Sequence, residues 1–306
     1  MIAFVFPGQG SQYVGMGKDL YENFPETREV FKEASDILGY DMVKLCFEGP
    51  KELLDRTSKT QPAILTVSIA ALKLMELNGK IPSMVAGHSL GEYTACVAAG
   101  VLIFRDCLRI VEKRGLFMEE AVPEGKGLMA AILGLDREVV DNICRNISSG
   151  YVASANYNCP GQIVISGERD AVLEAVEELK QKGAKRAVLL AVSVPSHSRL
   201  MLKASERLGE FFRQFNFNNA VIPVVSNVDG IARTDAPSIK DALLRQLHSG
   251  VLWEDSVRNM HRMGVDTFVE IGPGKVLSGL IKRILPEVKV YNVESRDTLI
   301  NTVKSL

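Results

Sequence analysis

Short apolar runs alternate with segments of helical period along the whole chain, and this alternation restricts the fold more than any other feature of the sequence. Residues 3–6, 84–86, 222–225 and 267–271 are such runs, each followed within two residues by Gly, Ser or Asn. Strands that alternate with helices are joined by crossovers, so they lie mainly parallel in one sheet covered by helices. In an open sheet of this kind ligands gather beyond the carboxyl ends of the strands, which directs attention to the loops after these runs.

The alternation breaks between residues 127 and 194. An apolar run at 127–133, a helix at 136–146, two adjacent strands at 151–155 and 162–166, a second helix at 170–182 and a strand at 186–194 follow in order. That is β-α-β-β-α-β, the ferredoxin-like order. The expected fold is therefore α/β: a large subdomain with a mainly parallel sheet, built from residues 1–126 and 197–306, with a small ferredoxin-like subdomain, 127–196, inserted. The cleft between them is the expected binding site.

Composition removes several classes of function. The 306 residues carry 36 Lys plus Arg against 37 Asp plus Glu, a net charge of -1, which argues against a basic nucleic-acid binder. The longest apolar stretches, 187–194 and 220–225, fall far short of the roughly 20 residues of a membrane helix. Met1 to Phe6 has no basic segment and runs into Pro7-Gly8, so it reads as a first core strand and not a signal peptide; the expected compartment is the cytoplasm. The five cysteines form no CxxC pair and no two lie near a histidine at ligand spacing, so buried free thiols and no metal are expected.

Gly87-His88-Ser89-Leu90-Gly91 fits the G-x-S-x-G turn that swings a strand into a helix and leaves a serine oxygen exposed at the bend. An isolated match is as readily an ordinary turn, but here a strand precedes it and a helix rich in small residues follows, which favours a nucleophile. The base must come from four histidines. His88 adjoins the serine and its side chain diverges from it, His261 sits in a polar helical stretch as a solvated residue, and His248 lies in a turn. His197 ends the strand leaving the small subdomain, at the predicted cleft, and is the candidate base. No acid between Ser89 and His197 follows a strand of the large sheet, so a Ser-His dyad is expected, its imidazole oriented by something other than a carboxylate.

Three further features bear on the site. The loop Phe6-Pro7-Gly8-Gln9-Gly10-Ser11-Gln12 follows the first strand and offers backbone N–H groups for an oxyanion, or serves as a connection needed for close packing. Glu270-Ile271-Gly272-Pro273-Gly274-Lys275 lacks the residue placement of a phosphate loop and reads as structural. On the helix from about 103 to 120, Arg114 falls among Cys107, Leu108, Ile110, Val111 and Met118 on the apolar face. An inward guanidinium is costly unless paired. Its partner is a ligand carboxylate, or protein carbonyls satisfy it, or it reaches the surface.

Taken in order, Phe6 to Gln12, Gln61-Pro62-Ala63, Gly87 to Tyr93, Lys113-Arg114-Gly115, Asn156 to Gln162, Pro195-Ser196-His197, Ser226-Asn227-Val228 and Glu270 to Gly274 resemble the malonyl-CoA:acyl carrier protein transacylases of bacterial fatty acid synthesis. The resemblance covers nearly the whole chain. It implies a hydrolase-like large subdomain with the ferredoxin-like insert, no cofactor, and two partners, a coenzyme A thioester and acyl carrier protein. It also implies that Ser89 takes malonyl, that His197 is base and acid, and that the Gln9 and Leu90 backbone N–H groups form the oxyanion hole. Arg114 would hold the malonyl carboxylate, and the Gln246 backbone carbonyl would orient His197. Glu119, Cys159, Gly250 and Leu252 depart from the family's usual residues, which bears on the local shape around Gln246. Acyl carrier proteins are acidic and this chain is nearly neutral, so a local basic patch is expected, with Lys185, Arg186, Lys282 and Arg283 as candidates. Competing readings are a trans-acting malonyl acyltransferase of polyketide assembly, a thioesterase using water, and a non-catalytic carrier-binding module.

Overall fold

The computed structural model describes residues 1–190 and 194–306. Its strands are β1 (Ile2–Phe6), β2 (Met84–Gly87), β3 (Gly127–Leu133), β4 (Val152–Cys159), β5 (Gln162–Glu168), β6 (Arg186–Leu189), β7 (Val224–Val225), β8 (Ala232–Arg233), β9 (Thr267–Ile271) and β10 (Lys289–Val293). Six of them form one sheet in the order β10-β9-β1-β2-β7-β8. Every pairing in it is parallel except that of β7 with β8. Helices cover both faces of this sheet, and β1 is accordingly an unbroken apolar run in which Ala3, Phe4, Val5 and Phe6 are all fully buried.

The other four strands form a separate antiparallel sheet in the order β4-β5-β3-β6. The helices Arg137–Asn146 and Arg169–Gln181 close a core of their own against it, through Val140, Ile143, Val172, Val176 and Leu179. The α/β architecture with an inserted ferredoxin-like unit is as the sequence predicts. The small sheet joins the rest of the fold along a seam made by Val251 and the helix Val276–Ile284. Tyr157 N–H donates to Val251 O at 2.9 Å and Val251 N–H to Ala155 O at 2.8 Å. Arg283 of the helix Val276–Ile284 donates to the side chain of Gln162 at 2.5 Å and to Pro160 O at 3.2 Å, both in the β4–β5 hairpin.

Some boundaries differ from the expected ones. The run at 222–225 pairs only through Val224–Val225, because Pro223 has no N–H to donate; its carbonyl still accepts from Val85 N–H at 2.9 Å. β4 runs on to Cys159 beyond the expected end at 155, paired there with Gln162–Val164 of β5 and bridged to Val251 on its other edge. β6 ends at Leu189, and residues 191–193 of the expected 186–194 strand lie outside the described residues. No described helix is long and apolar enough to cross a membrane.

Candidate active site

Ser89 sits where β2 turns into the helix Gly91–Ala98, with a φ of 51°, in the left-handed region that a non-glycine residue adopts only when its surroundings enforce it. Two glycines permit the turn: a Cβ on Gly87 would overlap the Gly91 backbone, and one on Gly91 would overlap the Phe6 carbonyl of β1. Asn227, just beyond β7, braces it. Its Oδ1 accepts from Ser89 N–H at 2.7 Å and its Nδ2 donates to Gly87 O at 2.7 Å.

His197 is also held at positive φ, 58°, with its N–H donating to Leu247 O at 3.0 Å. Its Nε2 lies 2.8 Å from Ser89 Oγ and its Nδ1 2.8 Å from Gln246 O. A carbonyl only accepts, so Nδ1 carries the ring proton and Nε2 is left free to take one from the serine. Burial first, and the positive charge of Arg114 next, pull the imidazole down to about 3, so the ring is neutral at rest. No carboxylate contacts it among the described residues. The other histidines are elsewhere engaged: His88 Nε2 meets Asn158 Oδ1 at 2.9 Å, and His248 is in a turn. His261 is solvated, its side chain 39% exposed, and its Nδ1 ties to Val265 O at 2.8 Å at the end of the helix Trp253–Arg262.

Arg114 lies on the helix Phe104–Ala121 and is 1% exposed, as its place on the apolar face predicts. Its Nη2 donates to Gln246 Oε1 at 2.9 Å and to Ser89 Oγ at 3.2 Å, while its Nε has no partner among the described residues. The Tyr93 ring stands 5.3 Å from its guanidinium carbon. No acid pairs with it among the described residues. A cavity of about 100 Å³ lies over Ser89, lined by Gln9, Arg114, Met118, Met129, Leu190 and His197 among others. A wider cleft of about 240 Å³ shares Gln9, His88, Asn156 and Leu190 with it and leads out past Val276 and Leu280. The backbone N–H groups of Gln9 and Leu90 have no protein acceptor among the described residues, so both remain available to a ligand oxygen. The arrangement can activate a hydroxyl, stabilise an oxyanion beside it, and bind a negative charge on the same acyl group.

Residues 3–300 match the family of the acyl transferase domain. The malonyl CoA-acyl carrier protein transacylase of Escherichia coli (strain K12) is 51% identical over 285 residues, 92% of this chain and 92% of the relative. That of Bacillus subtilis (strain 168) is 48% identical over 307 residues, 100% of this chain and 97% of the relative. The chain belongs to the malonyl CoA-acyl carrier protein transacylase family. Among solved structures, a malonyl-transacylase in complex with its type II polyketide synthase acyl-carrier protein matches with a TM-score of 0.98 at 46% identity, covering 100% of this chain and 99% of that one. The transacylase of Coxiella burnetii matches with a TM-score of 0.98 at 41% identity, covering 100% and 97%.

Three of the four departures from the usual transacylase residues, Glu119, Cys159 and Leu252, make identifiable local contacts. Glu119 accepts from Ser58 N–H at 2.9 Å and so caps the helix Thr57–Leu77. Cys159 is buried in one apolar cluster with Val251, Trp253 and Leu280, and Leu252 N–H donates to Asn227 O at 2.8 Å, which holds the segment beside the Ser89 brace. Glu270, expected to be structural, accepts from Leu277 N–H and Ser278 N–H at the start of the next helix. Two site residues had no assigned role in the sequence reading, Asn227 and Glu92. Glu92 is the one charged residue of a short helix of otherwise uncharged residues, so no polar face marks its carboxylate as turned inward.

Proposed function

We propose that this transacylase family member moves malonyl from malonyl-CoA to the phosphopantetheine thiol of acyl carrier protein by way of an acyl-serine, in two half-reactions. Ser89 Oγ attacks the thioester carbonyl while His197 Nε2 takes its proton. The tetrahedral oxyanion sits on the N–H groups of Gln9 and Leu90, each such donor being worth about 3 kcal/mol in comparable sites. Collapse expels coenzyme A, protonated by His197. The carrier thiol then gives its proton to His197 and attacks the acyl-serine, and Ser89 leaves with the proton returned. Arg114 holds the free malonyl carboxylate, and Gln246 orients His197 through its backbone carbonyl. No step needs a cofactor.

The observation that carries this reading is the buried guanidinium of Arg114, placed 3.2 Å from the serine oxygen and with no carboxylate partner among the described residues. Neither a simple thioesterase nor a non-catalytic carrier-binding module needs a cation there. We further propose that residues 127–196 and the remainder act as two subdomains around the cleft, with acyl carrier protein at its mouth beside Lys185, Arg186, Lys282 and Arg283. Five buried, unpaired cysteines and a coenzyme A thioester substrate fit the cytoplasm. A carrier of polyketide assembly would be served by the same chemistry, a reading favoured by the likeness to the polyketide carrier's transacylase.

The test is intact-protein mass spectrometry after incubation with malonyl-CoA. One malonyl adduct should form on Ser89, vanish in Ser89→Ala, and pass to added holo acyl carrier protein. An adduct at full stoichiometry in Ser89→Ala rejects the nucleophile, and release of coenzyme A at the same rate with and without carrier makes the protein a hydrolase.

A further inference from the structure

Behind the serine lies a carboxylate that the reaction above does not use. Glu92 is on the helix Gly91–Ala98 and is 0% exposed, with no cation within ion-pair distance among the described residues. Its Oε2 accepts from Gln246 Nε2 at 2.7 Å and from Asn227 N–H at 3.1 Å, and its Oε1 has no partner among the described residues. An unpaired buried carboxylate is costly to the fold. An apolar side chain of the same volume would pack there more cheaply, so something other than stability favours the acid.

What it touches supplies the reason. The Gln246 amide has four connections of fixed polarity. Nε2 faces two acceptors, Glu92 Oε2 and Ser89 O, at 2.7 and 2.8 Å, and Oε1 faces a donor, Arg114 Nη2, at 2.9 Å. Asn227 Oδ1 stands 3.4 Å from the same Nε2. An amide can be turned end for end, and only its neighbours decide which end points where. A carboxylate is an acceptor on both oxygens, so Glu92 admits a single orientation of Gln246: donor end to the elbow, oxygen end to the guanidinium. That oxygen in turn fixes one edge of Arg114, whose Nη2 also reaches Ser89 Oγ in the lining of the cavity.

We propose that Glu92 is a positioning residue for acyl-group selection, acting through the Gln246 amide on the aim of Arg114. The proposal rests on the malonyl-transfer reading above. The geometry requires an acceptor at the Oε2 position and no particular charge. In Glu92→Gln the fixed N–H of Asn227 draws the new amide oxygen to that position, and the contact to Gln246 survives. In Glu92→Asp the carboxylate is withdrawn by one methylene and loses its reach, although the charge is kept.

The experiment measures kcat and KM with malonyl-CoA and acetyl-CoA for wild type, Glu92→Asp, Glu92→Gln, Gln246→Asn and the double variant Glu92→Asp/Gln246→Asn, with a thermal melt of each. In Glu92→Asp the malonyl-to-acetyl ratio of kcat/KM should fall by about fivefold or more, chiefly through the malonyl KM, a size usual for coupled neighbours. Glu92→Gln should stay within about twofold of wild type, and the double variant should lose no more than the larger single loss. Gln246→Asn shortens the other half of the same contact and should reproduce the fall, so the test survives if Glu92→Asp does not fold. A ratio unchanged in folded Glu92→Asp, a ratio unchanged in Gln246→Asn, an equal fall in Glu92→Gln, or multiplicative losses in the double variant each overturn the assignment. Wild type that is acylated by malonyl-CoA but shows unchanged ratios in the variants defeats the positioning role alone; wild type that takes no malonyl defeats the transfer reading with it.

Discussion

At the residue scale the site is a set of charges and dipoles whose ionisation is fixed by burial. With His197 pulled down to about 3, the neutral base is fully present throughout the ordinary range, and acylation by malonyl-CoA should show no acid limb near 6.5. Glu92, pushed up to about 7 by burial against the opposing hydrogen bond from Gln246, titrates in that range. It accepts through Oε2 in either state, since a proton can sit on the unpartnered Oε1, so the profile should also stay flat through 7. Stopped-flow acylation between pH 5 and 8 checks both statements, and a limb at either value contradicts one of them. Removing a positive charge makes protonation easier, so Arg114→Ala should raise the His197 value, read from the imidazole resonances by NMR. The same variant should lose malonyl transfer while keeping acetyl transfer. Loss of one partner from a buried charge pair typically costs about 2 to 5 kcal/mol, or roughly 30-fold to several thousand-fold. Arg114→Lys should restore only part, because an ammonium lacks the two parallel N–H bonds of the guanidinium. Ser89, His197 and Arg114 were legible in the sequence because each breaks a local rule: a glycine-flanked hydroxyl, a histidine at a strand exit, a charge on an apolar face. Gln246 breaks none, and its service to His197 comes from a backbone carbonyl that no side-chain pattern encodes. Glu92 escaped because its helix has eight residues and is buried almost throughout, so it shows no polar face against which an inward acid stands out.

At the scale of elements the elbow depends on how closely one helix approaches one strand. The first turn of Gly91–Ala98 rests against the end of β1, where a Cβ on Gly91 would overlap the Phe6 carbonyl, a backbone atom that cannot swing aside. Gly91→Ala should therefore cost about 2 kcal/mol or more as overpacking, lowering the urea midpoint and slowing Ser89 acylation together. Gly279 supplies the contrast, since it is exposed in the middle of the helix Val276–Ile284 and a Cβ there meets nothing within 4 Å. Gly279→Ala should raise stability by roughly 0.5 to 1 kcal/mol and leave acylation unchanged. Equal midpoints for the two variants would contradict the packing argument. Element type was readable from period alone for the long helices and for β1, β3 and β9. The ends were not, because they are decided by single residues and by pairing: β7 is cut short by Pro223, and β4 is extended by its hairpin partner β5, with Val251 bridging from far away in the chain.

At the scale of the whole molecule, the wider cleft is lined both by the small sheet, through Ala131, Gln162 and Val164, and by the helix Val276–Ile284, and charge gathers where these two come together. Arg186 of β6 pairs across Leu133 of β3 with Gln162 of β5, and Gln162 is bonded to Arg283 of the helix Val276–Ile284. Two strand spacings separate Arg186 from Gln162, about 10 Å, which is about one Debye length at 0.1 M salt. Lys282 and Arg283 are anchored through carbonyls, Lys282 on Val288 O at 2.6 Å and Arg283 on Pro160 O at 3.2 Å, so their charges stay unneutralised but fixed in place. Reversing them would also loosen the contact between the helix and the β4–β5 hairpin. Lys185 and Arg186 are exposed and form no ion pair among the described residues, so reversing them changes the field with little else. An acidic carrier protein approaching this rim should be steered by the local field even though the net charge of the chain is only -1. Lys185→Glu/Arg186→Glu should lower kcat/KM for the carrier by roughly tenfold at low salt, with a smaller effect on acylation by malonyl-CoA. Raising salt on the wild type should bring its carrier kinetics down toward those of the variant, while the variant itself should respond weakly. Equal losses in the two half-reactions, or a variant as salt-sensitive as wild type, would move the carrier's docking surface away from this rim.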